Sequence, residues 1–396
     1  MMLQKRILQL GLFLLVFNVS FAQNTPTRMF IFGHSLIDHR PPATPTPSDE
    51  TTVPHWLYLL CQKAGKSFSA GGKYGFLPQH AQLPPYSQWG YDIVPEVWES
   101  DTEPFSDADI NTILITAGNF MQWQAPNLDY VSDPGVSPVS ATETIIDWVN
   151  QQEDGIHYYI YENWPDMAGF LSNGFPPTKS EFSDYNTYTQ GDFHVWWIEY
   201  QDFLLQSRPN INIRMIPVGP IMNKILLDLL NDQIPYTDLY EDDAPHGRPN
   251  IYFLASLITY MGIYQEKAPS TFNIPNIIHP IIKNNYISIV DFIWSELEAF
   301  KDSHGKSRVF YDITSTEHPD LATASIYPNP VSNSFYFDGK SKISEMKIYS
   351  LAGVKMMTIS DLDVPKMIDI SNLSPGVYIL EMQTLNGLEW YKMVVE

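Results

Sequence analysis

The order of apolar segments along the chain is the feature that most restricts its fold. Up to about residue 310, β-branched runs such as "RMFIF" (Arg28–Phe32), "TILITAG" (Thr112–Gly118) and "IHYYIYE" alternate with amphipathic stretches such as Val53–Ala64 and Phe193–Leu205. Strands that alternate with helices pair in parallel, and the helices cover both faces of the sheet. We therefore predict an α/β fold, a three-layer α/β/α sandwich with a parallel sheet.

The pattern changes after this region. Residues 311–324 are polar and irregular and are interpreted as a linker. Only short alternating runs follow, separated by turn residues, which predicts a small all-β sandwich over residues 325–396. The predicted organisation is a signal peptide (1–22), an α/β domain (23–310), the linker and the β-sandwich.

The first 22 residues have the features of a cleaved export signal. Lys5 and Arg6 precede an apolar run that is too short for an ordinary membrane span, and Ser20–Ala22 has the small-x-small pattern of a cleavage site. The residue directly after that site is Gln23 and not a cysteine, which argues against a lipid anchor. We expect a secreted or cell-surface protein with no stable membrane span, although a short membrane anchor is the alternative.

Charge and cysteine content exclude several classes of function. The chain has 23 basic and 45 acidic residues, a net charge of −22, so nucleic acid and anionic membranes would repel it. Its single cysteine, Cys61, cannot form an internal disulfide and is predicted to be a buried thiol. No Cys/His cluster has zinc spacing, and we predict neither a metal nor a cofactor; the alternative is a loose metal site formed by His39, His55 and His80.

Ser35, in the segment "FGHSL" after the first predicted strand, is a candidate nucleophile. A serine needs a base to accept its proton, and "YEDDAPHGRP" offers Asp243 and His246 three residues apart. In a turn, that spacing allows the carboxylate to bind one imidazole nitrogen while the other faces Ser35. The G-x-S-x-G motif of α/β-hydrolases is absent.

A serine nucleophile also needs donors for an oxyanion. Gly72 or Gly75 can offer a backbone N–H at close approach, and Asn119 can offer a side-chain amide. Each motif alone also fits a structural role, with Ser35 and Asn119 in turns and Asp243 as a helix cap. Their order along the chain, at the ends of predicted strands, favours one common site.

Together, Ser35 in "FGHSL", Gly72 in "GGKYG", Asn119 in "AGNF" and Asp243 and His246 in "DAPH" resemble the four blocks of the SGNH (GDSL-type) hydrolases. The resemblance covers about residues 27–305. It implies a flavodoxin-like fold, with Ser35 as nucleophile, His246 as general base and Asp243 orienting the imidazole. It also implies an oxyanion hole made by the N–H groups of Ser35 and Gly72 and the amide of Asn119.

Two blocks depart from the family pattern. The G-D-S of the family is Gly33-His34-Ser35 here, and its G-x-N-D ends in Phe120. His34 is therefore either a second functional histidine or a structural one. Gly71 competes with Gly72 for the role of oxyanion donor.

The C-terminal region carries a second resemblance. The segments "IYPNPVSN" (Ile326–Asn333), "MKIYSLAGVKM" (Met346–Met356), "IDISNLSPGVYIL" (Ile368–Leu380) and "YKMVVE" resemble the type A sorting domain of the Bacteroidetes type IX secretion system. This resemblance implies export across both membranes and the type IX machinery as a partner. The alternative is a sugar-binding β-sandwich.

The loops near the strand ends suggest a substrate class. His34, Trp89 and Trp123 are candidates for lining the cleft, and exposed aromatic rings can stack on sugars. We expect a secreted serine esterase that removes O-acetyl groups from an extracellular carbohydrate. The alternatives are a lipolytic or general carboxylesterase and a catalytically silent glycan-binding protein.

Overall fold

The structure is a computed structural model that describes residues 26–39, 52–85, 88–117, 124–311, 325–327, 329–338, 343–350, 354–362, 366–384 and 387–396. The predicted signal peptide and residues 312–324 of the predicted linker lie outside these ranges. The chain divides into two compact units. The α/β unit comprises the residues up to Trp148 and Tyr158–Phe310, and the β unit comprises Val149–His157 and the residues from Tyr311.

The α/β unit is built on a five-stranded sheet with the order β2-β1-β3-β4-β5. The strands are β1 (Thr27–Gly33), β2 (Phe68–Tyr74), β3 (Thr112–Ile115), β4 (His157–Tyr161) and β5 (Ile213–Ile216). β1 pairs in parallel with both β2 and β3, and β4 pairs in parallel with β5. This order is the flavodoxin-like one, and it confirms the predicted α/β fold with a parallel sheet.

The helices of the α/β unit are α1 (Val53–Ala64), α2 (Leu77–His80), α3 (Pro138–Val149), α4 (Lys179–Gln190), α5 (Asp192–Ser207), α6 (Val218–Lys224), α7 (Tyr236–Leu239), α8 (Pro249–Tyr264), α9 (Pro280–Asn284) and α10 (Tyr286–Ala299). α6 continues into one π-helical turn, Ile225–Leu229.

Helix α1 has the bounds that its sequence predicts, because its end signals are local. The side chain of Thr52 accepts from the N–H of His55, Pro54 lies in the first turn, and Gly65 ends the helix with a φ of 70°. α1 is tied to the almost completely buried α8, where the Ser256 hydroxyl donates to the carbonyl of Val53 at 3.0 Å.

Strand β2 is longer than its sequence predicts. The pattern predicts a short strand near Ser67–Ser69 and a Gly-rich turn at "AGGKYGF", whereas the register pairs Gly71 and Gly72 with Phe30 and Ile31 of β1 and extends β2 to Tyr74. A small residue is required here, since a Cβ at Gly72 would lie 2.5 Å from the carbonyl oxygen of Ile31 and would also meet the Tyr91 hydroxyl. The glycines therefore allow close approach of the strands, and pairing overrides their turn propensity.

The β unit is antiparallel within both of its sheets. One sheet has the order β10-β7-β6 and the other β12-β11-β8-β9. These strands are β6 (Ser325–Tyr327), β7 (Ser334–Asp338), β8 (Ile343–Ser350), β9 (Lys355–Leu362), β10 (Lys366–Asp369), β11 (Gly376–Thr384) and β12 (Gly387–Val395). Side chains from both sheets share one core, including Phe335 and Ile368 from the first and Met346 and Leu380 from the second. The predicted all-β sandwich is thereby confirmed.

Cys61 is buried on α1, as predicted. Its thiol donates to the Tyr264 hydroxyl at 3.1 Å, and burial raises the pKa of the thiol to about 12. Within the described ranges, no helix has the length and apolar content that crossing a membrane requires.

We expect Gly72→Ala to destabilise the protein by about 1–3 kcal/mol, because the added methyl group must displace the backbone of β1. The thermal unfolding midpoint of the full chain measures this effect. Gly169→Ala is the matched control, since a Cβ there meets no atom within 4 Å. Equal midpoints for the two variants would contradict the packing argument.

Candidate functional site

The carboxyl ends of β1 and β3 form the crevice of this sheet. The strand order reverses direction between these two strands, so the loops that follow them diverge. The turn after β1 begins at His34, whose carbonyl accepts from the N–H of Ile37 at 2.9 Å. Leu36 and Ile37 are buried, whereas Ser35 is partly exposed. The apolar residues thus anchor the turn and leave the serine at its accessible point.

A second loop, Tyr240–Gly247, supplies the candidate base, and we call it the carboxylate loop. Its ends pair through an antiparallel bridge between Tyr240 and Gly247. The N–H of Glu241 donates to the carbonyl of His246 at 2.9 Å. This closure directs Asp242 back toward His246.

The partner of His246 is Asp242, and not Asp243 as predicted from the sequence. Asp242 Oδ1 accepts from the backbone N–H of His246 at 3.1 Å, and Oδ2 lies 2.7 Å from Nδ1 of the same residue. Asp243 instead contributes its backbone carbonyl, which accepts from the N–H of Met167 at 2.9 Å. With Nδ1 held by Asp242, Nε2 is the nitrogen of His246 that remains to accept a proton.

Asp242 is a carboxylate at neutral pH. Burial opposes its ionisation, but the hydrogen bonds and charge of His246, with the charge of His39, outweigh burial and hold its pKa below the ordinary value. The pKa of the Asp166 carboxyl is shifted in the opposite direction: burial and the charges of Asp243 and Asp242 raise it above the ordinary value. Asp242 therefore holds the Nδ1 edge of His246 as a carboxylate.

Tyr252 joins the turn after β1 to the carboxylate loop. Its hydroxyl donates to the carbonyl oxygen of Ser35 at 2.9 Å. Its ring packs on Gly247, where an added Cβ would lie 3.2 Å from Tyr252 Cζ. Tyr252 therefore connects the turn that carries Ser35 with the residue after His246. The sequence did not identify Tyr252 as a site residue. It predicts a helix at this position, but the contacts of Tyr252 depend on tertiary packing.

His34 does not line the crevice, contrary to one of the two interpretations of its sequence. It is 2% exposed. Its Nδ1 accepts from the N–H of Leu36 at 3.3 Å, and its Nε2 lies 3.4 Å from the carbonyl of Ala117. Burial lowers its pKa to about 4, so the ring is neutral at neutral pH. These contacts make His34 a link between the turn after β1 and the end of β3.

Gly72 cannot act as the predicted oxyanion donor, because its N–H donates to the carbonyl of Trp89 at 3.0 Å. The N–H of Gly75 is also engaged, with the carbonyl of Gly33 at 2.9 Å. Gly71 lies inside β2 as well. The backbone N–H of Ser35, by contrast, has no hydrogen-bond acceptor among the residues that the structure describes. Asn119, the other predicted donor, lies outside the described residues.

An aromatic cluster borders the crevice at the end of β2. The Trp89 and Tyr74 rings stack at 5.1 Å with a 28° interplanar angle, and Trp89 Nε1 donates to Asp38 at 2.6 Å. Tyr74 is 45% exposed and Phe76 is 38% exposed. Trp89 was a predicted lining residue, whereas Tyr74 and Phe76 were missed because their segment was interpreted as a turn. Trp123 lies outside the described residues.

Across the described ranges, no group of three or more His, Cys, Asp or Glu side chains is arranged to hold a metal ion.

We expect a low-field proton NMR resonance from the Nδ1–H of His246, because its hydrogen bond to ionised Asp242 is charge-assisted. Asp242→Asn should remove this resonance, and Asp243→Asn should preserve it. If Asp243→Asn removes the resonance and Asp242→Asn preserves it, Asp243 is the partner of His246. Nitrogen-15 labelling of the histidines assigns the signal.

Comparison with known proteins identifies the C-terminal region. Residues 325–396 match the family model of the secretion system C-terminal sorting domain. This confirms the predicted sorting domain and indicates secretion to the cell surface or the outside. No curated protein matches the chain.

Among solved structures, the chain is similar to a family 3 carbohydrate esterase from Clostridium thermocellum, with 11% identity and a TM-score of 0.33 over 60% of this chain and 94% of that one. An endo-β-1,4-mannanase from Thermotoga petrophila gives 10% identity and a TM-score of 0.19 over 74% and 92%. TM-scores this low assign neither a reaction nor a substrate to the α/β unit.

Proposed function

We propose that the chain is a secreted serine esterase that removes O-acetyl groups from an extracellular carbohydrate through an acyl-enzyme. The observation that carries the proposal is the Asp242–His246 pair, which Tyr252 connects to the turn that presents Ser35. Nucleophilic acyl transfer requires an imidazole held by a carboxylate and an accessible serine within its reach, and here the two segments that carry them are joined through Tyr252. The similarity of the Ser35 and His246 segments to SGNH hydrolases supports the same reaction.

In the first half-reaction, His246 Nε2 accepts the proton of the Ser35 hydroxyl as Ser35 Oγ attacks the acetyl carbonyl carbon. The oxyanion that forms accepts a hydrogen bond from the Ser35 N–H, with the Asn119 amide as a second proposed donor. Asp242 stabilises the imidazolium. When the tetrahedral intermediate collapses, the imidazolium returns its proton to the sugar oxygen, and Ser35 retains the acetyl group.

Water completes the cycle. His246 Nε2 takes a proton from a water molecule, whose oxygen attacks the acetyl carbonyl carbon. The second tetrahedral intermediate expels Ser35 Oγ, which regains its proton from the imidazolium, and acetate leaves. Asp242 makes the same contribution in both halves, because its ionised state persists throughout.

The aromatic cluster supports a carbohydrate as the alcohol part of the ester. Tyr74 ends β2 opposite Gly33 in register, two residues before Ser35 in the neighbouring strand. Its ring is held flat against Trp89, whose indole is itself fixed by Asp38. A fixed, exposed ring suits the apolar face of a sugar, since little conformational entropy is lost on binding. The sorting domain supports such an activity, because it indicates export to the surroundings in which extracellular polymers are found.

We expect Ser35→Ala to lower kcat for p-nitrophenyl acetate by at least about 10³-fold, since removing the nucleophile leaves only binding and oxyanion stabilisation. A fluorophosphonate should label the wild-type chain at Ser35 and should not label the variant. If the two proteins hydrolyse the ester equally, Ser35 is not the nucleophile. If the wild-type chain shows no hydrolysis, the glycan-binding alternative holds.

We expect Tyr74→Ala to raise KM for an acetylated oligosaccharide about 5- to 10-fold, the cost of one lost stacking contact. KM for p-nitrophenyl acetate should stay unchanged, because this small ester does not reach the ring. Ile287→Ala, which removes a similarly exposed side chain from α10, is the control. The contrary result has two parts. The KM of the wild type for p-nitrophenyl esters would fall as the acyl chain lengthens, and Tyr74→Ala would raise the KM for the long-chain esters. That result would indicate that the Tyr74 ring binds acyl chains.

A further inference from the structure

The imidazole rings of His39 and His246 lie face to face. Their centroids are 3.6 Å apart, and their planes differ by 11°. His39 follows the turn after β1, whereas His246 belongs to the carboxylate loop. The stack is therefore a direct contact between the segment that carries Ser35 and the segment that carries the proposed base.

Two consecutive carboxylates lie at the edges of this stack. Asp242 Oδ2 lies 2.7 Å from Nδ1 of His246, whereas Glu241 Oε2 lies 3.2 Å from Nδ1 of His39 without the geometry of a hydrogen bond. The side chains of His39 and Glu241 are both mostly buried. The face of His246 that His39 covers is thus closed to water, and the covering ring is itself mostly buried.

The charge state of His39 suits this position. Burial and the charge of His246 lower the pKa of His39 to about 4, so its ring is neutral at neutral pH. A neutral ring adds no repulsion when His246 accepts a proton. Its π-face instead attracts the cation that forms.

We propose that His39 is a positioning residue, whose ring fixes the plane of the His246 imidazole while Asp242 fixes its Nδ1 edge. A hydrogen bond at Nδ1 alone leaves the ring free to tilt about that bond. A second ring stacked at 3.6 Å blocks the tilt and keeps the direction of Nε2 fixed. The inference rests on the proposed function, in which His246 is the base, and such orientation controls the rate of proton transfer.

Two substitutions separate the ring of His39 from its nitrogens. His39→Phe keeps a flat ring and lacks Nδ1, whereas His39→Asn keeps a polar amide near the position of Nδ1 and lacks the ring. We expect His39→Asn to lower kcat for p-nitrophenyl acetate about 10- to 100-fold, with KM changed less than about 2-fold. His39→Phe should retain at least about one third of the wild-type kcat. If His39 acted only through its contact with Glu241, His39→Asn would keep a higher kcat than His39→Phe.

The second measurement does not require activity. In a Ser35→Ala background, the low-field Nδ1–H resonance of His246 should stay sharp in His39→Phe. It should broaden through exchange in His39→Asn, because a tilting ring exposes that proton to water. The proposal is overturned if His39→Asn keeps wild-type kcat and a sharp resonance, or if His39→Phe is impaired as strongly as His39→Asn. If Ser35→Ala itself retains full activity, the proposed function fails, and the resonance still decides whether His39 holds the ring.

Discussion

The position of Ser35 depends on a single buried strand. β1 has neighbours on both sides, with Gly33 opposite Tyr74 of β2 and Phe32 opposite Ile115 of β3. The side chains of Met29–Phe32 are completely buried, so a shift of register by one residue would exchange the faces on which they pack. The turn after β1 is therefore placed by the hydrophobic core, and the loop itself contributes little to its position. The proposed nucleophile is therefore held in position before substrate binds.

The sequence predicted those helices and strands whose ends are determined by interactions between residues close together in the chain. Helix α1 was predicted to the residue because its cap, proline and terminal glycine act within a few positions. Helix α4 was not predicted, because its sequence is largely polar. Its buried face contains only a few apolar side chains, among them Phe182 and Tyr185. The end of β2 was placed too early because two glycines indicate a turn unless a partner strand is known.

The site was predicted in outline and corrected in detail. The segment "EDDAPH" offers carboxylates at three different distances from His246, and only the closure of the carboxylate loop selects Asp242. The N–H of Gly72 was available in principle, but the bridge to Trp89 engages it. The burial of His34 and the stack on His39 arise from contacts between segments distant in sequence. Such contacts are determined by topology, which residue spacing does not reveal.

The single cysteine has a consequence for a chain that carries a secretion sorting domain. Its thiol lies in the core beside Tyr264 and stays protonated far above neutral pH, and thiolates are the species that oxidants and disulfides attack. The fold therefore requires no oxidative folding catalyst, and it offers no reactive sulfur for mispairing with other exported proteins. The passage from a reducing cytoplasm to an oxidising exterior therefore forms no disulfide within the chain. The stability of the α/β unit outside the cell therefore rests on non-covalent interactions, with no disulfide to be reduced.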